Sequence, residues 1–224
     1  MSKNFLFILA GLLFVFSACS SDDDSDTDPV MMDDSDEPLV AMTEIPDIEF
    51  ERALIELGFD DLEDGKVISS NIADITDLVI ESKGISDLSG IEDFTMLEGL
   101  WAKDNLLTSV DVSNNLLLKF LFIAENDITT VNVASLSDLE KIEADDNSIS
   151  SIDISDNISL QLLTITDNLL ESIDVSFITD VVQLNRLAVE GNPLDCIQVN
   201  EDQLNNIPGQ WTKDAGDVYS IDCN

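Results

Sequence analysis

The sequence predicts a repeat solenoid of the α/β type, a right-handed stack of coils that share one short parallel sheet. Three observations carry this. Leu97, Leu118, Leu139 and Leu160 recur every 21 residues. Asn105, Asn126, Asn147 and Asn168 recur at the same interval, eight positions further along. Within each coil, apolar residues alternate with period two, as at Leu100 and Ala102, which marks a short strand with one buried face. Self-similarity at a fixed period of this length means stacked coils, so surfaces are read as columns across repeats.

In chain order, residues 1–18 read as a signal peptide. Lys3 precedes an apolar run from Phe5 to Phe16, and Ser17-Ala18 supply the small residues of a cleavage site. The run is shorter than the roughly 20 residues a helix needs to cross a bilayer. Phe16-Ser17-Ala18-Cys19 resembles a bacterial lipobox, which implies that Cys19 is lipid-modified and becomes the amino terminus. The residues alone leave open an ordinary secreted protein with an incidental cysteine. Residues 19–43 begin Cys-Ser-Ser-Asp-Asp-Asp-Ser-Asp, stay acidic through Pro38 and are expected to form a disordered tether. The acidic run also resembles the export signal of Bacteroidota surface lipoproteins. That resemblance implies an outer-membrane lipid anchor with the folded part facing the cell exterior, and multiple acyl chains suffice for stable anchoring.

Residues 44–74 are expected to cap the first coil. Phe50, Ala53, Leu54 and Leu57 fall at helical spacing and Gly58 is a stop signal, so a short amphipathic helix is predicted over residues 47–58. Asp60 to Gly65 then makes an acidic turn whose spacing departs from the Asp-x-Asp-x-Asp-Gly calcium loop.

The repeats are placed at residues 75–199, about six coils of 21–24 residues. Ile75, Leu78, Ile85 and Leu88 keep the spacing of a first coil, with Lys83 where the asparagine would stand. Leu184, Leu187 and Asn192 continue the frame after a three-residue insertion. The pattern Leu-x-x-Leu-x-(Leu/Ala)-x-x-Asn-x-Leu resembles the repeat of the leucine-rich-repeat superfamily. The phrase Leu/Ile-x-Ser-(Val/Ile)-Asp-(Val/Ile)-Ser looks like the variety found in surface proteins of the Bacteroidota. The resemblance covers about 125 of 224 residues. It agrees with the physics, since one coil cannot bury its leucines alone and neighbours must stack to make a continuous core. The asparagine ladder of Asn105, Asn126, Asn147, Asn168 and Asn192 is read as structural, satisfying backbone groups at the bend after each strand.

Residues 200–224 are expected to close the other end. With Cys19 set aside, Cys196 and Cys223 remain, and an even count in an exported chain argues for a disulfide between them, with a reactive or metal-binding pair as the alternative. The stretch Cys-Ile-Gln-Val through Trp211 to the final cysteine also resembles the closing segment of related repeat proteins.

Composition excludes several function classes. With 9 Lys+Arg against 47 Asp+Glu the net charge is −38, and removing Lys3 with the signal peptide makes it −39. Such a surface repels phosphates, which argues against nucleic acid and leaves the lipid anchor as the route to a membrane. There is no histidine, so neutral-pH acid–base work, a histidine-activated nucleophile and a His-ligated zinc are all unavailable. A shallow curved face also lacks the cleft that a pair of glycosidic carboxylates needs. No enzyme is expected, and no cofactor beyond weakly bound calcium.

What remains is the outward face of the strands. Since strand side chains alternate, residues flanking the buried leucines cannot share the core. Trp101, Phe120 and Phe122 should form an exposed aromatic patch, with Leu162 farther along, a sign of a recognition surface; the alternative is that the rings lie flat on neighbouring coils or meet a self contact. Lys103, Lys141 and Arg186 lie on the same face, a clustering that favours acidic or hydroxyl-rich ligands. Two acidic columns complete the reading: Asp111, Asn132, Asp153 and Asp174, then Asp104, Glu125, Asp146 and Asp167. Solvated faces are expected there, with loosely held calcium as the alternative. The chain is therefore expected to be a non-catalytic binding module, first for a protein partner, with glycan binding or a ligand-free surface spacer as alternatives.

Overall fold

In the computed structural model, which describes residues 40–178 and 183–223, every coil contributes a three-residue strand whose middle side chain points inward. The expected signal peptide, Cys19 and most of the tether lie outside the described residues. The amino-terminal elements are β1 (Met42–Glu44), α1 (Ile48–Leu57), β2 (Lys66–Ile68) and α2 (Ser69–Ile72). The coils carry β3 (Asp77–Val79), β4 (Gly99–Trp101), β5 (Ser109–Asp111), β6 (Phe120–Phe122), β7 (Thr130–Asn132), β8 (Lys141–Glu143), β9 (Leu162–Thr164), β10 (Ile173–Asp174), β11 (Arg186–Ala188) and β12 (Cys196–Gln198). The closing elements are α3 (Glu201–Asn205), β13 (Trp211–Thr212) and β14 (Val218–Ser220).

Strands β3, β4, β6, β8, β9, β11 and β13 make one seven-stranded sheet in that spatial order. All its pairings are parallel, and the register sets Leu78, Leu100, Leu121, Ile142, Leu163 and Leu187 in a single row. Every member of the row is fully buried, and this row is the spine of the core. The stacked-coil solenoid of six turns is thus the architecture of the chain. Helices are confined to its ends among the described residues, apart from one 3-10 turn at Ile91–Asp93. A coil of 21 residues that spends its length on two extended edges and two bends has no room for a helix of about 11 residues.

The second extended edge is interrupted. β5 pairs with β7, and β10, β12 and β14 form a separate parallel sheet. Between them Ile152-Asp153-Ile154, which the alternation marks as an edge, forms no ladder. No single contact explains the break.

The asparagines join each coil to the one before it. Asn147 Nδ2 donates to the carbonyls of Ile123 (3.0 Å), Ala144 (3.2 Å) and Asp145 (3.1 Å), while its Oδ1 accepts from Ile128 N–H at 2.9 Å. Asn105, Asn126, Asn168 and Asn192 repeat this, each amide reaching a carbonyl of the preceding coil. A second set escaped the sequence reading. Asn115 Nδ2 donates to Ile91 and Phe94 carbonyls, and Asn157 Nδ2 to those of Val133 and Leu136. The two stand 42 residues apart with Leu136 between them, so their period shows only at twice the repeat.

The column before the asparagines has a conformational cause. Ser82, Asp104, Glu125, Asp146 and Asp167 all adopt left-handed backbone, with φ between 52° and 56°, and Gly191 continues them at 73°. Short polar side chains tolerate that region far better than branched ones. The acidic column is therefore a row of tight bends. Among the described residues no three ligating side chains converge to hold a metal ion. Asp146→Val should cost about 1–2 kcal/mol even though it removes a negative charge, whereas Asp146→Asn should be neutral. Urea midpoints measure this, and a stabilised Asp146→Val would show that charge, not conformation, governs the column. The Asp111 column is likewise committed: Asp111 and Asp153 each accept the N–H and hydroxyl of the serine two residues on.

At the amino-terminal end ordered structure starts earlier than the composition suggests. β1 begins at Met42, inside the stretch expected to be tether, because it pairs antiparallel with β2 and buries Thr43. Helix α1 lies within the predicted span and ends at Gly58 in left-handed conformation. Its cap, Asp47, accepts Glu49 and Phe50 N–H through Oδ1, and Ser86 N–H, Ser86 hydroxyl and Asp87 N–H through Oδ2. One carboxylate thus fixes the helix to the first coil. Buried Glu51 accepts the N–H groups of Asp64, Gly65 and Lys66, so the acidic turn encloses an anion, the opposite of a calcium loop.

Burial pushes the Asp47 carboxyl up, but hydrogen bonds from Ser86, Phe50 and Asp87 outweigh it and hold the group below its usual value. Asp111 and Asp153 are held low by the hydroxyls and N–H groups of Ser113 and Ser155. A carboxyl whose folded pKa is depressed stabilises the fold above about pH 4 and loses that contribution as the pH falls through the folded value. Stability in urea should therefore drop below about pH 4, and Asp47→Asn should flatten that limb. An unchanged acid limb would remove Asp47 from this role.

At the carboxy-terminal end, Cys196 and Cys223 form a disulfide with their Cα atoms 5.7 Å apart. Trp211 packs in register beside Leu187 and donates its indole N–H to the Leu184 carbonyl at 2.7 Å. Gln203 is fully buried and caps the carbonyls of Val175 and Ile178. Burial, with Glu190 and Asp217 nearby, pushes the Tyr219 phenol up to about 12.

Candidate functional site

The outward side chains of the sheet fall into straight rows because the strands pair in register. One row reads Asp77, Gly99, Phe120, Lys141, Leu162, Arg186. The next reads Val79, Trp101, Phe122, Glu143, Thr164, Ala188. Trp101, Phe120 and Phe122 come together as a cluster: the Trp101 and Phe122 rings meet edge to face at 5.6 Å, and Phe120 lies 6.5 Å from each. The rings shield one another, so all three are half-buried where the sequence reading has them exposed.

Gly99 makes the arrangement possible. A β-carbon there would collide with Cζ3 and Cη2 of Trp101, so the indole folds back over its own strand. Val79, 51% exposed, extends the apolar cluster on the β3 side. It was missed because the first coil lacks the ladder asparagine, although Val79 stands 22 residues before Trp101.

The three cations do not converge. Lys103 is paired with Glu125 at 2.8 Å, and Lys141 Nζ lies 5.2 Å from the centre of the Phe120 ring. Arg186 is exposed on β11, separated from Lys141 by Leu162 in register. Spacing along a sequence fixes the row of a side chain but not its pairing across strands, and here nearby acids and rings claim the lysines. Asp145, also on this face, accepts the Thr164 hydroxyl and the Thr166 N–H and hydroxyl at 2.6–2.8 Å, which makes it a structural tie.

The face is an open sheet bearing an aromatic cluster. A hollow off this face is lined by Asp87, Ser89, Glu92, Ser109 and Asp111, and its Asp87 and Asp111 already accept hydrogen bonds from Ser89 and Ser113. What the outward face can do chemically is bury apolar area and stack.

No protein-family model and no curated protein matches the chain. Two solved structures from Listeria monocytogenes are similar. The functional domain of InlJ, which includes a cysteine ladder, superposes with a TM-score of 0.63 at 24% identity, over 81% of this chain and 44% of that one. Internalin C2 gives 0.50 at 20% identity, over 82% of this chain and 99% of that one. The chain thus spans under half the length of the InlJ domain. The likeness is one of fold, and the in-register rows and the asparagine ladder agree with it: the described residues fold as a solenoid of the leucine-rich-repeat type.

Proposed function

We propose that this chain is a non-catalytic recognition module that binds a protein partner through the outward face of its sheet, displayed on the cell exterior by a lipid anchor at Cys19. The observation that carries the reading is the cluster of Val79, Trp101, Phe120 and Phe122 on adjacent strands of the solvent side. Aromatic side chains partly open to water on a rigid scaffold supply the large, low-entropy contact area on which interface hot spots are built. The absence of histidine from the sequence supports a role without acid–base chemistry. The anchor follows from the resemblance of Phe16-Ser17-Ala18-Cys19 to a lipobox.

The test is cross-linking on native cells that display the full chain. Trp101→Ala with Phe122→Ala should abolish the cross-linked protein adduct while leaving the urea midpoint near wild type. Leu116→Ala with Ile158→Ala, which truncates side chains 60% exposed outside the sheet, should leave the adduct intact. Persistence of the adduct without the aromatic pair would overturn the assignment of this face.

A further inference from the structure

We infer that the partner presents an arginine to Trp101, within a positively charged protein segment, so that the guanidinium stacks on the indole while pairing with Asp77. This rests on the recognition reading above and adds the chemistry of what is recognised. The position of a β-carbon at Gly99 would lie 3.3 Å from Asp77 Oδ1 as well as against the six-membered ring of Trp101. A carboxylate and an aromatic ring therefore meet over one glycine, on the solvent side of two neighbouring strands. A guanidinium is planar, stacks on aromatic rings and pairs with carboxylates at the same time, which an ammonium does less well.

The surrounding charge points the same way. Asp77, Glu81 and Glu143 flank the cluster and have no ion-pair partner within 4 Å among the described residues. Lys103 is held by Glu125 and Lys141 lies against Phe120, so an anionic ligand would meet cations already engaged. The chain as a whole carries −38, a field that draws basic partners in and repels acidic ones. The acidic or hydroxyl-rich ligand suggested by counting cations along the sequence is the weaker fit at this cluster, because its two lysines are engaged and the exposed Arg186 stands on β11, beyond Leu162.

The probes are fluorescently labelled nona-arginine, nona-lysine and nona-glutamate peptides and a neutral glucose heptasaccharide. Each is titrated against the full chain by anisotropy at about 0.15 M salt, where long-range attraction between exposed charges is largely screened. The arginine peptide should bind at least about 5-fold more tightly than the lysine peptide, and the glutamate peptide and the sugar should not bind. Trp101→Ala should erase the arginine preference, and so should Gly99→Ala, which keeps the tryptophan but displaces it. Asp77→Asn should weaken the arginine peptide by about 3-fold or more. Circular dichroism confirms that each variant is folded. Equal affinity for arginine and lysine peptides in the wild type, a preference that survives Trp101→Ala, or Trp101-dependent binding of the glutamate peptide or sugar would each overturn the inference. A native protein partner lost with Trp101 and Phe122 but showing no arginine preference would leave the recognition reading standing and remove only this one.

Discussion

Asn168→Ala should destabilise the solenoid by about 3–4 kcal/mol, far beyond what one surface polar residue is worth. Asn168 is buried, accepts Ile149 N–H at 2.9 Å and donates to the carbonyls of Ala144 (2.9 Å) and Thr166 (3.0 Å). Alanine leaves the buried Ile149 N–H without a partner, at a desolvation cost of about 1–3 kcal/mol, and removes two further hydrogen bonds worth about 0.5–1.5 kcal/mol each, although the Ala144 carbonyl keeps Asn147 Nδ2 and the Thr166 carbonyl keeps Asp146 N–H. Asn168→Asp tests the geometry separately. It keeps an acceptor for Ile149 but turns a donor into a charge facing two carbonyls, so it should be no better than alanine. Exposed Asn114 supplies the control, and Asn114→Ala should shift the urea midpoint little. If Asn168→Ala unfolds at the wild-type urea concentration, the ladder is not what couples the coils.

The second large effect is expected from the disulfide. Cys196 and Cys223 close a loop of 27 residues, for which chain entropy gives about 3–4 kcal/mol of stabilisation. Cys196→Ser with Cys223→Ser removes it. The loss should concentrate at the carboxy-terminal end, because coils stabilise mainly their neighbours. The loop contains Trp211, whose indole covers Leu187 and bonds Leu184. Amide exchange at Ile197 and Leu187 should therefore accelerate well before exchange at Leu121. Uniform acceleration along the chain would contradict nearest-neighbour coupling, and no change at either end would mean that the cap holds without its covalent tie.

Local chemistry that repeats with the coil was legible in the sequence, and long-range chemistry was not. The row from Leu78 to Leu187 and the sheet it implies follow from the period alone, since a strand inside a fixed repeat has one way to stack. Helix α1 is legible from its apolar spacing and Gly58. Asp47 and Glu51, by contrast, look like ordinary acids of an acidic chain. Their roles depend on Ser86 and on the turn at Asp64 to Lys66, whose approach no local pattern encodes. The same limit applies to the candidate site. Strand alternation placed Trp101, Phe120 and Phe122 on the outward face, but their mutual shielding and the collapse of the indole onto Gly99 depend on rotamers and on register across strands. The acidic column before the asparagines was visible as charge, although its cause is the sign of a backbone angle.

The three extra residues of the fifth interval fall between Ile178 and Leu184, yet Leu162 and Arg186 still face each other across β9 and β11. The added length therefore leaves the register of β9 and β11 unchanged. The interval between Ile178 and Leu184 is consequently a natural grafting position: an epitope tag or reporter peptide inserted there should leave the spacing of the aromatic rows untouched, and with it the template that a ligand reads.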